Sequence, residues 1–242
     1  MIKLFEQFNN EQIIKDFAEK YIIGKYSINE DGSVDVTGDV KVINTSPQSK
    51  LHNIPIRFNN VTGGFRINGN YITSLEGCPK WVGGEFNCSA NELTSLLHSP
   101  DYVGGNFNCS YNDITSLKDC PKEIGGSFFC TSNDLSTLEG IQNIIYGELR
   151  CNINNIRTLK GFPSIIKGDL EVTYNGIRKV DSSISVGGTI HIENTAFIDM
   201  IIELPQEKLK ILFEHGVDYE IFRSDGTTNF NRLERLFKDF EL

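Results

Sequence analysis

Residues 83–103 read GGEFNCSANELTSLLHSPDYV, and residues 104–124 read GGNFNCSYNDITSLKDCPKEI. The two segments align without a gap: Phe86 on Phe107, Cys88 on Cys109, Asn91 on Asn112, Leu93 on Ile114, Leu96 on Leu117, Pro100 on Pro121 and Val103 on Ile124. The same register runs outward in both directions. It passes through Val40-Lys-Val42 and Phe65-Arg-Ile67 upstream, then Phe128-Phe-Cys130, Leu149-Arg-Cys151, Leu170-Glu-Val172 and Ile190-His-Ile192 downstream. These eight segments are spaced by 25, 21, 21, 21, 21, 21 and 20 residues, the first gap absorbing an insertion near Ser46 to Ser49. Self-similarity at one fixed period means stacked units, none of which can bury its apolar side chains alone.

Each unit follows the same plan. A short strand is followed by an asparagine (Asn70, Asn91, Asn112, Asn133, Asn154, Asn175) and, two positions on, by an aliphatic residue: Ile72, Leu93, Ile114, Leu135, Ile156 or Ile177, with Phe197 in the last unit. Three further on stands Leu75, Leu96, Leu117, Leu138, Leu159 or Val180, followed in four units by Pro79, Pro100, Pro121 or Pro163. A last aliphatic residue, Val61, Val82, Val103, Ile124, Ile145, Ile166 or Val186, precedes the glycines. The string F-x-C-x-x-N-x-L-x-x-L resembles the leucine-rich repeat consensus, with phenylalanine and cysteine in two leucine positions. The unit length and the proline are similar to the short bacterial type of Yersinia-type effector proteins. The opening MIKLFEQF and the repeated TSLEGCPK units resemble repeat proteins of large tailed phages.

The physical reading agrees with that resemblance. Parallel strands stacked at about 4.8 Å place equivalent side chains in ladders. Asparagine can satisfy backbone groups that a loop would otherwise bury, and the glycines permit a sharp corner. Only about ten residues per unit remain for the return side, too few for long helices, so the return should be an extended convex segment without a helix. The expectation is a mainly β solenoid, a leucine-rich repeat of about eight coils spanning residues 40–200. Residues 1–39 should form a helix-and-hairpin cap, with a helix from Glu11 to Tyr21 capped by Asn10. In the hairpin, turns are expected at Glu30-Asp31-Gly32 and at Gly38-Asp39. Residues 201–242 should form a second cap: a helix from Pro205 to His215 stopped by Gly216, a strand Tyr219 to Phe222, a turn at Ser224-Asp225-Gly226, and a helix Phe230 to Phe240. Capping the solenoid ends is the plain role for both; a second binding element is the alternative.

Composition narrows function. The chain has 242 residues, 39% hydrophobic and 23% charged, with a formal charge of −9. An acidic balance opposes binding to a phosphate backbone, which argues against nucleic acid. No window of 18 apolar residues is present to span a membrane, and the charged start does not read as a signal peptide. Cys88, Cys109, Cys130 and Cys151 lie one period apart, so they should form a buried row, whereas four ligands of a zinc ion must surround one point. Cys78 and Cys120, two units apart, are beyond disulfide reach. Free thiols and the absence of a leader imply the cytoplasm. His52, His98, His191 and His215 have no partner at ligand spacing, and no phosphate loop or nucleophile elbow occurs. The expectation is a chain that is not an enzyme and carries no cofactor and no metal.

What remains is surface. Strand residues between the inward ones point to the face of the sheet, the concave face in a curved solenoid. Its candidate partner-binding residues are Arg66, Asn87, Asn108, Phe129, Arg150, Glu148, Asp169, Glu171, His191 and Glu193. One half is basic to polar and the other acidic, pointing to a partner with a basic patch, and Phe129 beside Arg150 has the composition of an interface hot spot. The expected function is non-catalytic binding of a protein partner; the phage resemblance implies a host or defence protein that is inhibited. The competing reading is a structural or assembly component that self-associates. Oligomeric state is left open.

Overall fold

A computed structural model of the chain describes residues 2–43, 46–178, 180–192, 204–222 and 228–241. Helix α1 (Ile2–Tyr21) leads into strand β1 (Ile22–Ile28) and the long strand β2 (Val34–Lys41), after which the chain winds through short strands, all but one of them two residues long. One row of parallel strands stacks Phe65–Arg66, Phe86–Asn87, Phe107–Asn108, Phe128–Phe129, Leu149–Arg150, Leu170–Glu171 and Ile190–His191 onto the end of β2. The eight strands of this row bound about seven turns of a β-solenoid. Phe65 lies opposite Phe86, Phe86 opposite Phe107 and Phe107 opposite Phe128, so equivalent residues of successive segments face one another.

A second row, on the return side where the sequence pattern suggested an extended segment without a helix, is made of parallel strands as well. Phe58–Val61, Trp81–Val82, Tyr102–Val103 and Glu123–Ile124 form one stretch of it, and Ile144–Ile145, Ile165–Ile166 and Ser185–Val186 form another. Each strand carries one inward aliphatic residue, too short a run to register as alternation. The glycine pair turns the chain from the second row into the first. A Cβ on Gly104 would lie 2.2 Å from the carbonyl oxygen of Gly83 one coil below, which only glycine avoids.

Between the rows each coil buries five apolar side chains; in one coil these are Phe86, Cys88, Leu93, Leu96 and Val103, all fully buried. Phe65, Phe86, Phe107 and Phe128 stack with centroid separations of 5.5 to 5.7 Å. Burying each such ring contributes about 2 kcal/mol, but only after a neighbouring coil supplies the other surface.

The corner after each main-row strand is held by asparagine. Nδ2 of Asn112 donates to the carbonyls of Cys109 (3.0 Å) and Ser110 (3.2 Å) in its own coil and of Cys88 (3.2 Å) in the coil before; its Oδ1 accepts the Leu93 N–H at 3.0 Å. Asn91, Asn133, Asn154 and Asn175 repeat the pattern. The residue just before each asparagine sits in the left-handed region: Gly69 in the first coil, then Ala90, Tyr111, Ser132, Ile153 and Tyr174 at φ of 53° to 58°. A β-branched side chain at such a φ is strained.

The caps follow from the same constraint on unpaired ends. Through Ile14, Phe17, Ala18 and Tyr21 α1 enters the core, with Phe17 edge-on to Phe58 at 5.9 Å. It starts well before Asn10, which lies inside it rather than capping it, because no glycine or proline interrupts residues 2–10. Strand β1 pairs antiparallel with β2, from Ile22 opposite Val40 to Ile28 opposite Val34. At Gly38-Asp39, where a turn was expected, β2 continues as one strand that bends: Gly38 faces Gly24, with φ of 135° and 139°, and a Cβ on Gly24 would meet Thr37 O at 2.2 Å. The bend lets the first half of β2 found the second row and its last residues found the main row.

At the far end, helix α2 (Gln206–His215) buries Leu209, Leu212 and Phe213, and the side-chain amide of Gln206 accepts the Ile190 N–H at 2.8 Å and donates to Ile190 O at 2.9 Å. Helix α3 (Phe230–Asp239), N-capped by Asn229, buries Leu233, Leu236 and Phe237. The strand expected over Tyr219 to Phe222 reduces to one antiparallel bridge between Phe222 and Thr228. Phe197 and the turn Ser224-Asp225-Gly226 lie outside the described residues.

Two substitutions test this account by denaturant or thermal unfolding. Asn133→Ala leaves the N–H of Ile114 without its partner and removes one of two donors from the carbonyls of Cys109 and Cys130, which keep Asn112 and Asn154, and should cost about 2 kcal/mol. Ile153→Gly removes a β-branched residue from φ +53° and should raise stability by about 1 kcal/mol.

Candidate functional site

The second residue of each two-residue main-row strand points away from the core. Arg66, Asn87, Asn108, Phe129 and Glu171 are half-buried there, and Arg150 and His191 are exposed. Parallel register brings these residues, which are distant in sequence, side by side; Glu193 lies outside the described residues.

The charges on this face are paired within it. Arg66 reaches Glu85 Oε2 through Nε at 2.9 Å and Nη2 at 2.8 Å, and Glu85 Oε1 accepts from Asn87 Nδ2 at 3.1 Å. Asn87 and Asn108 turn inward to the chain: the Oδ1 of Asn87 accepts the Ser89 N–H and that of Asn108 the Ser110 N–H, both at 3.0 Å. Arg150 is held between two carboxylates, Glu148 Oε2 (2.7 Å from Nη2) and Glu171 Oε1 (3.2 Å from Nε), while its guanidinium lies over the Phe129 ring, 5.4 Å from the centroid. Glu171 also accepts from Asn152 Nδ2 at 2.8 Å, and Asp169 accepts the Thr189 N–H at 2.6 Å. Phe129, which the pattern suggested would stand exposed, is therefore half-covered by the arginine of the next coil. Around Arg150 one cation meets Glu148 and Glu171, with Asp169 in the neighbouring coil, so this half of the face keeps an excess of negative charge.

Directly behind Phe129 and Arg150 the second row breaks. Glu123–Ile124 does not pair with Ile144–Ile145. The side-chain amide of Gln142 stands between them: its Oε1 accepts the Ile124 N–H at 2.8 Å, and its Nε2 donates to Ile124 O at 2.9 Å and Ile144 O at 2.7 Å. One amide thus replaces a step of the ladder. Gln142 occupies the register of Pro79, Pro100, Pro121 and Pro163, which makes the missing proline the sequence signal for this break. A cleft of about 460 Å³ opens on one side, lined by residues including His98, Asp101, Lys122 and Gln142. Another of about 450 Å³ opens on the other, lined by Tyr102, Glu123, Ile144 and Tyr146 among others.

The cysteines lie between the rows. Cys88, Cys109, Cys130 and Cys151 are buried and free, and burial raises their thiol pKa, that of Cys109 to about 12. The Sγ of Cys88, Cys109 and Cys151 each donates to a carbonyl of the next coil at 3.5 to 3.6 Å. They serve as small apolar residues rather than nucleophiles. Among the described residues no three histidine, cysteine, aspartate or glutamate side chains gather as metal ligands, and no helix is long and apolar enough to cross a membrane. No family model, curated protein or solved structure matches the chain.

Gln142→Ala removes both partners of the Ile124 peptide groups. It should lower stability by about 2 kcal/mol, and hydrogen exchange at the Ile124 amide should accelerate while that at the Phe128 amide does not.

Proposed function

We propose that this chain is a non-catalytic protein-binding solenoid of the leucine-rich repeat kind, whose main-row face, concave along the stack, receives a protein partner. The observation that carries the reading is the Phe129–Arg150 pair, an aromatic ring under a guanidinium near the middle of the row. Elsewhere on the face Arg66, Glu85 and Asn87 are bonded to one another, and Asn87 and Asn108 accept backbone N–H groups, so a partner gains little from displacing them. A half-buried aromatic residue and an arginine are the residue types that dominate interface energetics when a partner removes their remaining water. The retained acidic character around Glu148, Asp169 and Glu171 suits a partner with a basic patch.

The likeness to repeat proteins of tailed phages gives the reading its biological form: a cytoplasmic phage protein that binds a host or defence protein and inhibits it by occlusion. Catalysis and cofactors play no part in this proposal, since the face offers ion pairs and amides already committed to the scaffold.

The test is capture from host lysate with wild type and with Phe129→Ala combined with Arg150→Glu. Loss of a partner from the double variant, at unchanged melting temperature, supports the face as the binding site. Equal capture by both places binding elsewhere.

A further inference from the structure

The ends of both strand rows are closed, with one exception. The last main-row strand is covered by the Gln206 amide, and Ile184, at the last second-row strand, donates its N–H to Phe213 O in α2 at 2.9 Å. The break in the second row is covered by Gln142. Strand β1 pairs only with β2, and its other edge is open among the described residues.

The polarity of that edge follows from β2. Val34, Val40 and Val42 donate their N–H groups away from β1, to Arg57, Gly64 and Arg66, and Val36 and Gly38 turn their carbonyls the same way, to Thr62 and Gly63. In an antiparallel pair the residues opposite these, Gly24, Tyr26 and Ile28, direct their own N–H and C=O outward. Tyr26 and Ile28 also share the sheet face of Val36 and Val34, which are buried, yet they are themselves 38% and 39% exposed. An open edge flanked by exposed apolar side chains is a template for another strand.

We propose that β1 pairs antiparallel with β1 of a second copy of this chain, about a two-fold axis at Tyr26. In that register Tyr26 faces Tyr26 of the copy, Gly24 faces Ile28, and Lys25 faces Ser27, so no like charges stand opposite. The register uses the straight stretch after the bend at Gly24 and gives Tyr26 a ring to pack on. A two-fold interface is self-complementary, and the edge meets that requirement where its one charge, Lys25, is offset from its symmetry mate. The result is a continuous sheet through two solenoids, with both main-row faces left free.

The test is the mass of the full chain by sedimentation velocity, from low concentration up to about 100 µM. Wild type should form a two-chain species. Tyr26→Lys and Tyr26→Glu, each folded by circular dichroism, should be monomeric alone, and their equimolar mixture should regain the two-chain mass. A wild type that stays monomeric, a Tyr26→Lys variant that still dimerises, or a mixture that does not recover would each overturn the proposal. The Phe129→Ala, Arg150→Glu variant should dimerise normally, which separates this edge from the face proposed above.

Discussion

Everything in this molecule depends on the asparagine amide that belongs to two coils at once. A coil of about 21 residues has no inside of its own, so its backbone at the corner would lose water without gaining a partner. Nδ2 of Asn112, Asn133, Asn154 or Asn175 supplies donors to the corner carbonyls of its own coil and to a cysteine carbonyl one coil back, and Oδ1 takes an N–H from that same earlier coil. Together with the parallel backbone ladder, this bond holds the coil spacing at which the phenylalanine and cysteine ladders form. It also forces the preceding residue into the left-handed region, a strain the chain accepts even with tyrosine and isoleucine there.

The solenoid was legible because its period is carried by side chains that cannot change without opening the core. Phe86, Cys88, Asn91, Leu93, Leu96 and Val103 each fill the place their offset implied. The second strand row was not legible, since a two-residue strand has no alternation to detect and its outward residues are not repeated: Trp81 and Tyr102 stack as a pair, but Glu123 follows them. The N-terminal helix was misjudged at its start because a favourable cap residue, Asn10, does not oblige a helix to begin there when the preceding residues can continue it. The outward residues of the main-row strands, Arg66, Asn87, Asn108, Phe129, Arg150, Glu171 and His191, follow the alternation, but the cover over Phe129 comes from Arg150, a contact between coils that reading one segment at a time does not register.

Gln142 and Gln206 show how the ladder can be interrupted or ended without exposing it. A side-chain carboxamide has the donor and acceptor of a peptide group on a flexible tether, so it satisfies both the N–H and the C=O of a strand residue. Gln206 does this for Ile190 where the main row runs out, and Gln142 does it for Ile124 inside the stack. Where proline stands instead, as at Pro100 and Pro121, no such side-chain amide is available, and the second row there pairs directly: Asp101 and Lys122 donate to the equivalent carbonyl one coil back. Replacing proline by glutamine thus exchanges a backbone bond for a side-chain one.

The exchange falls at the level of Phe129 and Arg150 on the face. The main row runs unbroken past this level, Phe128 opposite Leu149, while the second row behind it is separated by the width of an amide. At this level the Arg150 guanidinium of one coil lies on the Phe129 ring of the coil before it. The clefts beside Gln142 and the Phe129–Arg150 pair on the opposite surface thus lie at one level of the stack, the level where glutamine stands at the proline position.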